Sequence, residues 1–130
     1  MESMTVRPDE ASIAGVQAFV EDIMAAAGVG MKQLSRVNIA VDELYTNIVR
    51  YSGAHTARIG CAVTPDAVTV ELCDDGVAYD PLQAAEPDVT LPAEERGIGG
   101  LGIFMTRKLM SSVDYARDDG WNRVTIRLDL

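Results

Sequence analysis

Three stretches of the chain carry residue types whose spacing could do chemistry. Glu43 and Asn47 stand four residues apart in a segment that reads as helix, so a carboxylate and a carboxamide share one face. That face lies away from the helix's apolar stripe and also carries Lys32, Arg36 and Arg50. A solvated, charge-mixed surface is the plainer alternative. Asp74-Asp75-Gly76 ends a strand and also suits a simple turn. Asp74 shares the parity of Val68, Val70 and Leu72, so its carboxylate is expected to point inward, where it needs donors. An amino group on a ligand would be one. The run Gly97-Ile98-Gly99-Gly100-Leu101-Gly102 places four glycines in six residues at the start of a helix. Backbone N–H groups in such a run can approach an anion, and the helix N-terminus adds partial positive charge. A flexible hinge or close helix packing would use the same glycines.

Other chemistries find less support. Gly97, Gly99 and Gly102 also satisfy GxGxxG, with Asp118 near the spacing of a ribose-binding acid. A dinucleotide fold wants a strand directly before the glycines, and here Pro87 to Arg96 intervene. Too little chain remains for a doubly wound sheet. A GxxxxGK[ST] phosphate loop is missing, and no Ser-His-Asp or Cys-His set has plausible partners. His55, the single histidine, sits in a loop beside Gly53 and suits the surface; Trp121 suits packing against the sheet or a neighbouring chain.

The elements that must position these residues follow from periodicity. Thr5–Arg7 reads as a short edge strand closed by Pro8. Asp9 stands as an N-cap, and Ile13, Val16, Val20, Ile23 and Met24 recur at helical spacing until Gly28 and Gly30. A second helix is expected from about Met31 to Tyr51, with Leu34, Val37, Val41, Leu44 and Ile48 as its stripe. Thr56–Thr64 and Ala67–Asp74 alternate as strands around Pro65-Asp66. Asp75–Arg96 reads as a long loop with three prolines, a length usually functional or disordered. A helix from about Leu101 to Met110 follows, and then a hairpin, Val113–Arg117 and Arg123–Leu128, around Asp118-Asp119-Gly120. Together these predict an α+β two-layer sandwich, with helices on one face of a mostly antiparallel sheet.

A chain of 130 residues fits one domain over residues 1–130, with one core. Its net charge of -9 works against unaided binding to nucleic acid or anionic membrane. No window is apolar enough for a membrane span, and the N-terminus lacks a secretory signal. Cys61 and Cys73 fall on opposite faces of the sheet, which disfavours a disulfide and suits a reducing cytoplasm.

In this order, the motifs resemble the GHKL ATPases with their Bergerat ATP-binding fold, a mixed, mostly antiparallel sheet under helices. Within them the likeness is to anti-sigma-factor serine/threonine kinases. Val41-Asp42-Glu43-Leu44-Tyr45-Thr46-Asn47 looks like their asparagine box. Cys73-Asp74-Asp75-Gly76-Val77-Ala78-Tyr79-Asp80-Pro81 looks like the first glycine box, and Arg96–Gly102 running into Ile103-Phe104-Met105 like the second. Val113-Asp114-Tyr115 matches the strand that usually follows.

The resemblance implies a role for each position. Asn47 would coordinate Mg2+, Glu43 would act as general base, and Asp74 would accept a hydrogen bond from the adenine amino group. Gly76 and Ala78 would lie at the nucleotide. Gly97, Ile98, Gly99, Gly100, Leu101 and Gly102 would hold the phosphates of ATP, with Asp75–Arg96 as a lid. Phosphoryl transfer asks for positioning, a metal and fixed donors rather than a protein nucleophile, in keeping with these types. The implied partners are a sigma factor or other regulated protein and a STAS-type anti-anti-sigma antagonist, which the kinase would phosphorylate; a homodimer is implied as well. Two positions depart from the pattern: Ala78 replaces a common second glycine, and Tyr51 replaces a histidine. A nucleotide-gated binding module with little catalysis is the alternative of a different class.

Overall fold

Apolar stripes on the helices and one apolar face of the sheet meet in a single core. The computed structural model describes residues 1–83 and 100–130. Strand β1 (Glu2–Val6) leads through a short 3-10 turn at Glu10–Ser12 into helix α1 (Ile13–Ala26), and helix α2 (Met31–Asn47) follows. Strands β2 (Ala57–Val63) and β3 (Ala67–Asp74) form a hairpin. A second 3-10 turn at Pro81–Gln83 begins the connection to helix α3 (Gly100–Leu109), and strands β4 (Ser112–Asp118) and β5 (Trp121–Asp129) close the chain.

The sheet runs β1-β2-β3-β5-β4. The sheet is the mostly antiparallel one expected, and every strand pairing among the described residues is antiparallel. Topology supplies the reason. Strand β4 runs in the same direction as β3, as a strand–helix–strand connection favours, but β5 folds back between the two. The β4–β5 hairpin turns on Asp119 and Gly120, both left-handed, with φ of 50 and 82. That pair of positive angles makes the type I′ turn that matches strand twist.

Alternation sorts the strands as the sequence predicts. Ile59, Cys61, Val70, Leu72, Val124 and Ile126 face inward and are buried. Val16, Val20 and Met24 of α1 and Leu34, Val37, Val41 and Leu44 of α2 cover them. Cys61 lies in this core, whereas Cys73 faces the other side of the sheet, and both thiols are free. Burial pushes the Cys61 thiol up to about 11. At the start of α1, Asp9 and Ser12 form a reciprocal cap, and the Ser12 hydroxyl also meets the hydroxyl of buried Tyr45 on α2. One cap therefore fixes the angle between the two helices.

Helix α2 departs from expectation at its end. Regular α-helix stops at Asn47, and a wider π-type turn runs over Ile48–Ser52 before left-handed Gly53 ends it. The Ser52 hydroxyl donates to the Ile48 carbonyl at 2.8 Å and accepts from the Ala54 amide. Side chain thus replaces backbone as the partner of the last turn, a competition to which serine is prone.

Candidate nucleotide site

Burial contradicts the solvated-surface reading for Glu43 and Asn47, although Lys32 and Arg50 on the same face are exposed. Asn47 is only 7% exposed, and Glu43 is partly covered. What covers Glu43 is the first turn of α3. A Cβ added at Gly102 would stand 2.0 Å from the Glu43 carboxyl carbon, so any larger residue there would push the Glu43 carboxylate out of its place. Thr106, buried one turn on, ties back to the Gly102 carbonyl at 3.0 Å. The Asn47 amide group points at Glu43 Oε1, 3.5 Å away. Burial raises the Glu43 carboxyl above its ordinary value, against the pull of Asn47; Asp42 adds to the rise and Arg50 opposes it.

The first glycine-box segment reaches the same place from the sheet. Asp74 is 4% exposed, as its parity predicts. Its Oδ1 accepts from the Gly76 amide at 3.0 Å and from Asn122 Nδ2 at 3.1 Å. No described residue donates to its second oxygen. Gly76 packs so closely on the end of α2 that a Cβ would meet the Ser52 carbonyl oxygen at 2.2 Å. The Val77 amide donates to that same carbonyl at 2.9 Å. Asp75 turns outward and accepts from the backbone amides of Thr56 and His55, which hold its carboxyl below the ordinary range, Thr56 foremost.

Between α2 and the sheet these groups line one pocket. Leu44, Ile48, Leu72 and Val124 form its apolar walls, and Asn47, Asp74 and Asn122 supply polar atoms. Tyr79 and Pro81 close it from the loop side. Its volume of about 20 Å³ has room for roughly one water, so a purine ring enters only when a wall moves. On the loop side the half-exposed Tyr79 ring can swing aside, whereas the apolar walls belong to the core.

The donor set bears on metal choice. Among the described residues no group of three His, Cys, Asp or Glu side chains could cage a metal ion. An Asn carbonyl oxygen that no described residue donates to, beside a carboxylate, is instead a hard-oxygen partial set. It suits Mg2+, which keeps most of its shell for water and substrate phosphates.

The profile of the family described as "Histidine kinase-like ATPase domain" matches residues 6–128. The chain belongs to this family. Membership implies ATP binding, and the five-stranded antiparallel sheet with three helices is this family's fold. Serine/threonine-protein kinase BtrW of Bordetella bronchiseptica is 33% identical over 94 residues, 69% of this chain and 66% of its own length. Serine-protein kinase RsbW of Listeria monocytogenes is 30% identical over 106 residues, 75% of this chain and 68% of its own. The chain spans about two thirds of the length of these curated relatives. Among solved structures, the RsbU and RsbW domains of a Mycobacterium tuberculosis protein match with a TM-score of 0.67 at 14% identity. That match covers 98% of this chain and 32% of the other. The SiaB-SiaC complex from Pseudomonas aeruginosa matches at 0.59 and 16%, over 100% of this chain and 90% of the other. Identities this low speak for the fold alone.

Within this histidine kinase-like ATPase domain, Glu43, Asn47, Asp74, Gly76 and Gly102 converge on one region. Gly100 and Leu101 enter the first turn of α3. Gly97, Ile98 and Gly99 lie outside the described residues, as does the lid beyond Gln83. Ala78 is exposed and its backbone is not left-handed, so alanine there costs no strain. Tyr51 is exposed and packs on Tyr79, ring centroids 6.2 Å apart. Sequence reasoning missed Ser52 and Asn122. Asn122 was within reach of the alternation rule: it precedes inward Val124 by two residues, as Asp74 follows Leu72.

Proposed function

We propose that this chain is an ATP-dependent serine/threonine protein kinase and anti-sigma factor that works by partner switching. Its protein substrate is a serine on a small STAS-type antagonist, and its other partner is a sigma factor or another regulated protein. The seat of Gly102 against Glu43 carries this reading, because it sets a phosphate-binding helix start directly on a partly buried carboxylate beside Asn47. The names of the kinase relatives point the same way.

Each residue then has one task. Asp74 takes the purine amino group on its unoccupied oxygen. Asn47 would hold Mg2+, which supplies charge neutralisation at the phosphates when bound. Gly102 and the helix start behind it hold the phosphate oxygens, with Gly97, Ile98, Gly99, Gly100 and Leu101 assigned the same task. Glu43 removes the proton from the serine hydroxyl as its oxygen bonds to the γ-phosphorus, the bond to the β-bridging oxygen breaks, and ADP leaves. Its raised pKa makes it a stronger base than an exposed carboxylate. A cytoplasmic location fits the two free cysteines, and a net charge of -9 fits partners that are neither nucleic acid nor membrane. No described helix is long and apolar enough to cross a membrane. A homodimer is proposed on the family resemblance.

Incubation with Mg-ATP and a STAS-type antagonist from the same cell should yield phosphoserine on the antagonist. Absence of transfer at high protein concentration overturns the kinase reading. Should the antagonist still bind in a nucleotide-dependent way, the binding-module alternative replaces it.

A further inference from the structure

The β4–β5 hairpin carries a cluster to which the proposed chemistry gives no task. Asn122 is 2% exposed and faces Asp74 across the β3–β5 ladder. Its Nδ2 donates to Asp74 Oδ1 at 3.1 Å and to the Val77 carbonyl at 2.7 Å. Its Oδ1 accepts from the Tyr79 amide at 3.2 Å and from the Tyr115 hydroxyl. A carboxamide offers two N–H donors and two lone pairs. All of them are therefore committed to the loop and the hairpin, and none is left to touch a ligand. From the same hairpin, Arg117 Nη1 donates to the Gly76 carbonyl at 2.8 Å. The first glycine-box loop is thus held at Gly76, Val77 and Tyr79 by β4 and β5.

This arrangement fixes the chemical character of Asp74. One oxygen is saturated by the Gly76 amide and Asn122, and the other remains for the pocket. Because Asn122 presents a donor, Asp74 has no neighbouring acceptor with which to share a proton.

We infer that Asn122 is a positioning residue that sets base specificity, holding Asp74 as an acceptor-only group that selects a purine edge with an amino donor over one with a carbonyl. The inference rests on the reading that this pocket takes ATP. An acceptor in place of the Asn122 amide would set two carboxylates at about hydrogen-bond distance, which forces them to share a proton. The selecting group would then answer to pH.

Asn122→Asp makes this change with almost no change in shape. Mg-ATP binding by calorimetry is expected to weaken about tenfold near pH 8 and to recover towards wild type near pH 6, as the pair takes up its proton. Preference for ATP over GTP should narrow in parallel. The titratable or charged side chains bonded to the pair, or to the loop it holds, are Tyr115 and Arg117 from β4, with Tyr79 from the loop joined through its amide; Glu43 of α2 lies within electrostatic reach of Tyr79, and Asp75 turns away. A wild-type profile measured alongside separates the response of the variant from any background. Wild-type affinity at both pH values, or an equal loss at both, overturns the inference. Should the variant fail to fold, Tyr115→Phe decides: it removes one donor to Asn122 without adding charge. A loss of about threefold in Mg-ATP affinity supports the inference, and unchanged affinity overturns it. Should wild-type protein not bind Mg-ATP at all, the ATP reading falls while the clamp remains testable. Faster amide exchange at Gly76 and Tyr79 in Asn122→Asp then upholds the clamp, and unchanged exchange overturns it.

Discussion

At Glu43 the fold sets a charge where burial disfavours it, and the two consequences can be measured separately. Burial lifts this carboxyl's pKa, so the ionised form is less favoured in the folded protein than in the unfolded chain. Below the unfolded value both states hold the proton and the site is neutral to stability. As pH rises through the raised folded value, wild type loses stability that Glu43→Gln keeps. The variant should therefore melt higher than wild type at neutral pH, with the gap closing as pH falls through the ordinary carboxylate range. Phosphoryl transfer to the antagonist should drop by about 10²–10⁴-fold, with Mg-ATP affinity retained. A variant that neither gains stability nor loses transfer would show Glu43 to be a bystander. Helical spacing made the Glu43–Asn47 pair legible in the sequence. Their burial was not, because it comes from a helix start far along the chain at Gly102, and no local period encodes that contact.

At the level of elements, the end of α2 and the start of the glycine-box loop are one joint. Gly76 lies against the Ser52 carbonyl, and the Val77 amide bonds to the same oxygen. Gly76→Ala drives a methyl group into backbone that cannot give, and should cost roughly 2–4 kcal/mol in chemical denaturation. Gly15→Ala, in the exposed first turn of α1 with open space around the new methyl, should instead stabilise by up to about 1 kcal/mol. Equal effects from the two would show that the close approach to Ser52 does not matter. The strands were legible because the alternation is strict, and Asp74 came with them. The π-type turn at Ile48–Ser52 was hidden, since it depends on a serine hydroxyl competing for a carbonyl rather than on any apolar period. The strand order was hidden too, because no local signal announces that β5 inserts between β3 and β4.

For the whole molecule, the central claim is convergence: α2, the β3 end and the start of α3 surround a single Mg-ATP. Three motifs in order revealed the fold: one is a polar pair at helical spacing on α2, and the other two carry glycines at a turn and at a helix start. They revealed less of the scaffold behind the site, where Asn122, Tyr115 and Arg117 act through the loop rather than on a ligand. The cavity has room for roughly one water, so ligand entry must swing the Tyr79 ring aside while the core walls and the clamped loop backbone stay in place. The most direct test is a titration of isotope-labelled protein with Mg2+ and a non-hydrolysable ATP analogue, followed by backbone amide resonances. Saturable shifts concentrated at Glu43–Ser52, Asp74–Tyr79 and Gly102–Thr106, with the outer strand β1 unmoved, are the predicted result. An unchanged spectrum at millimolar analogue, or shifts scattered over faces away from these three segments, would contradict the account.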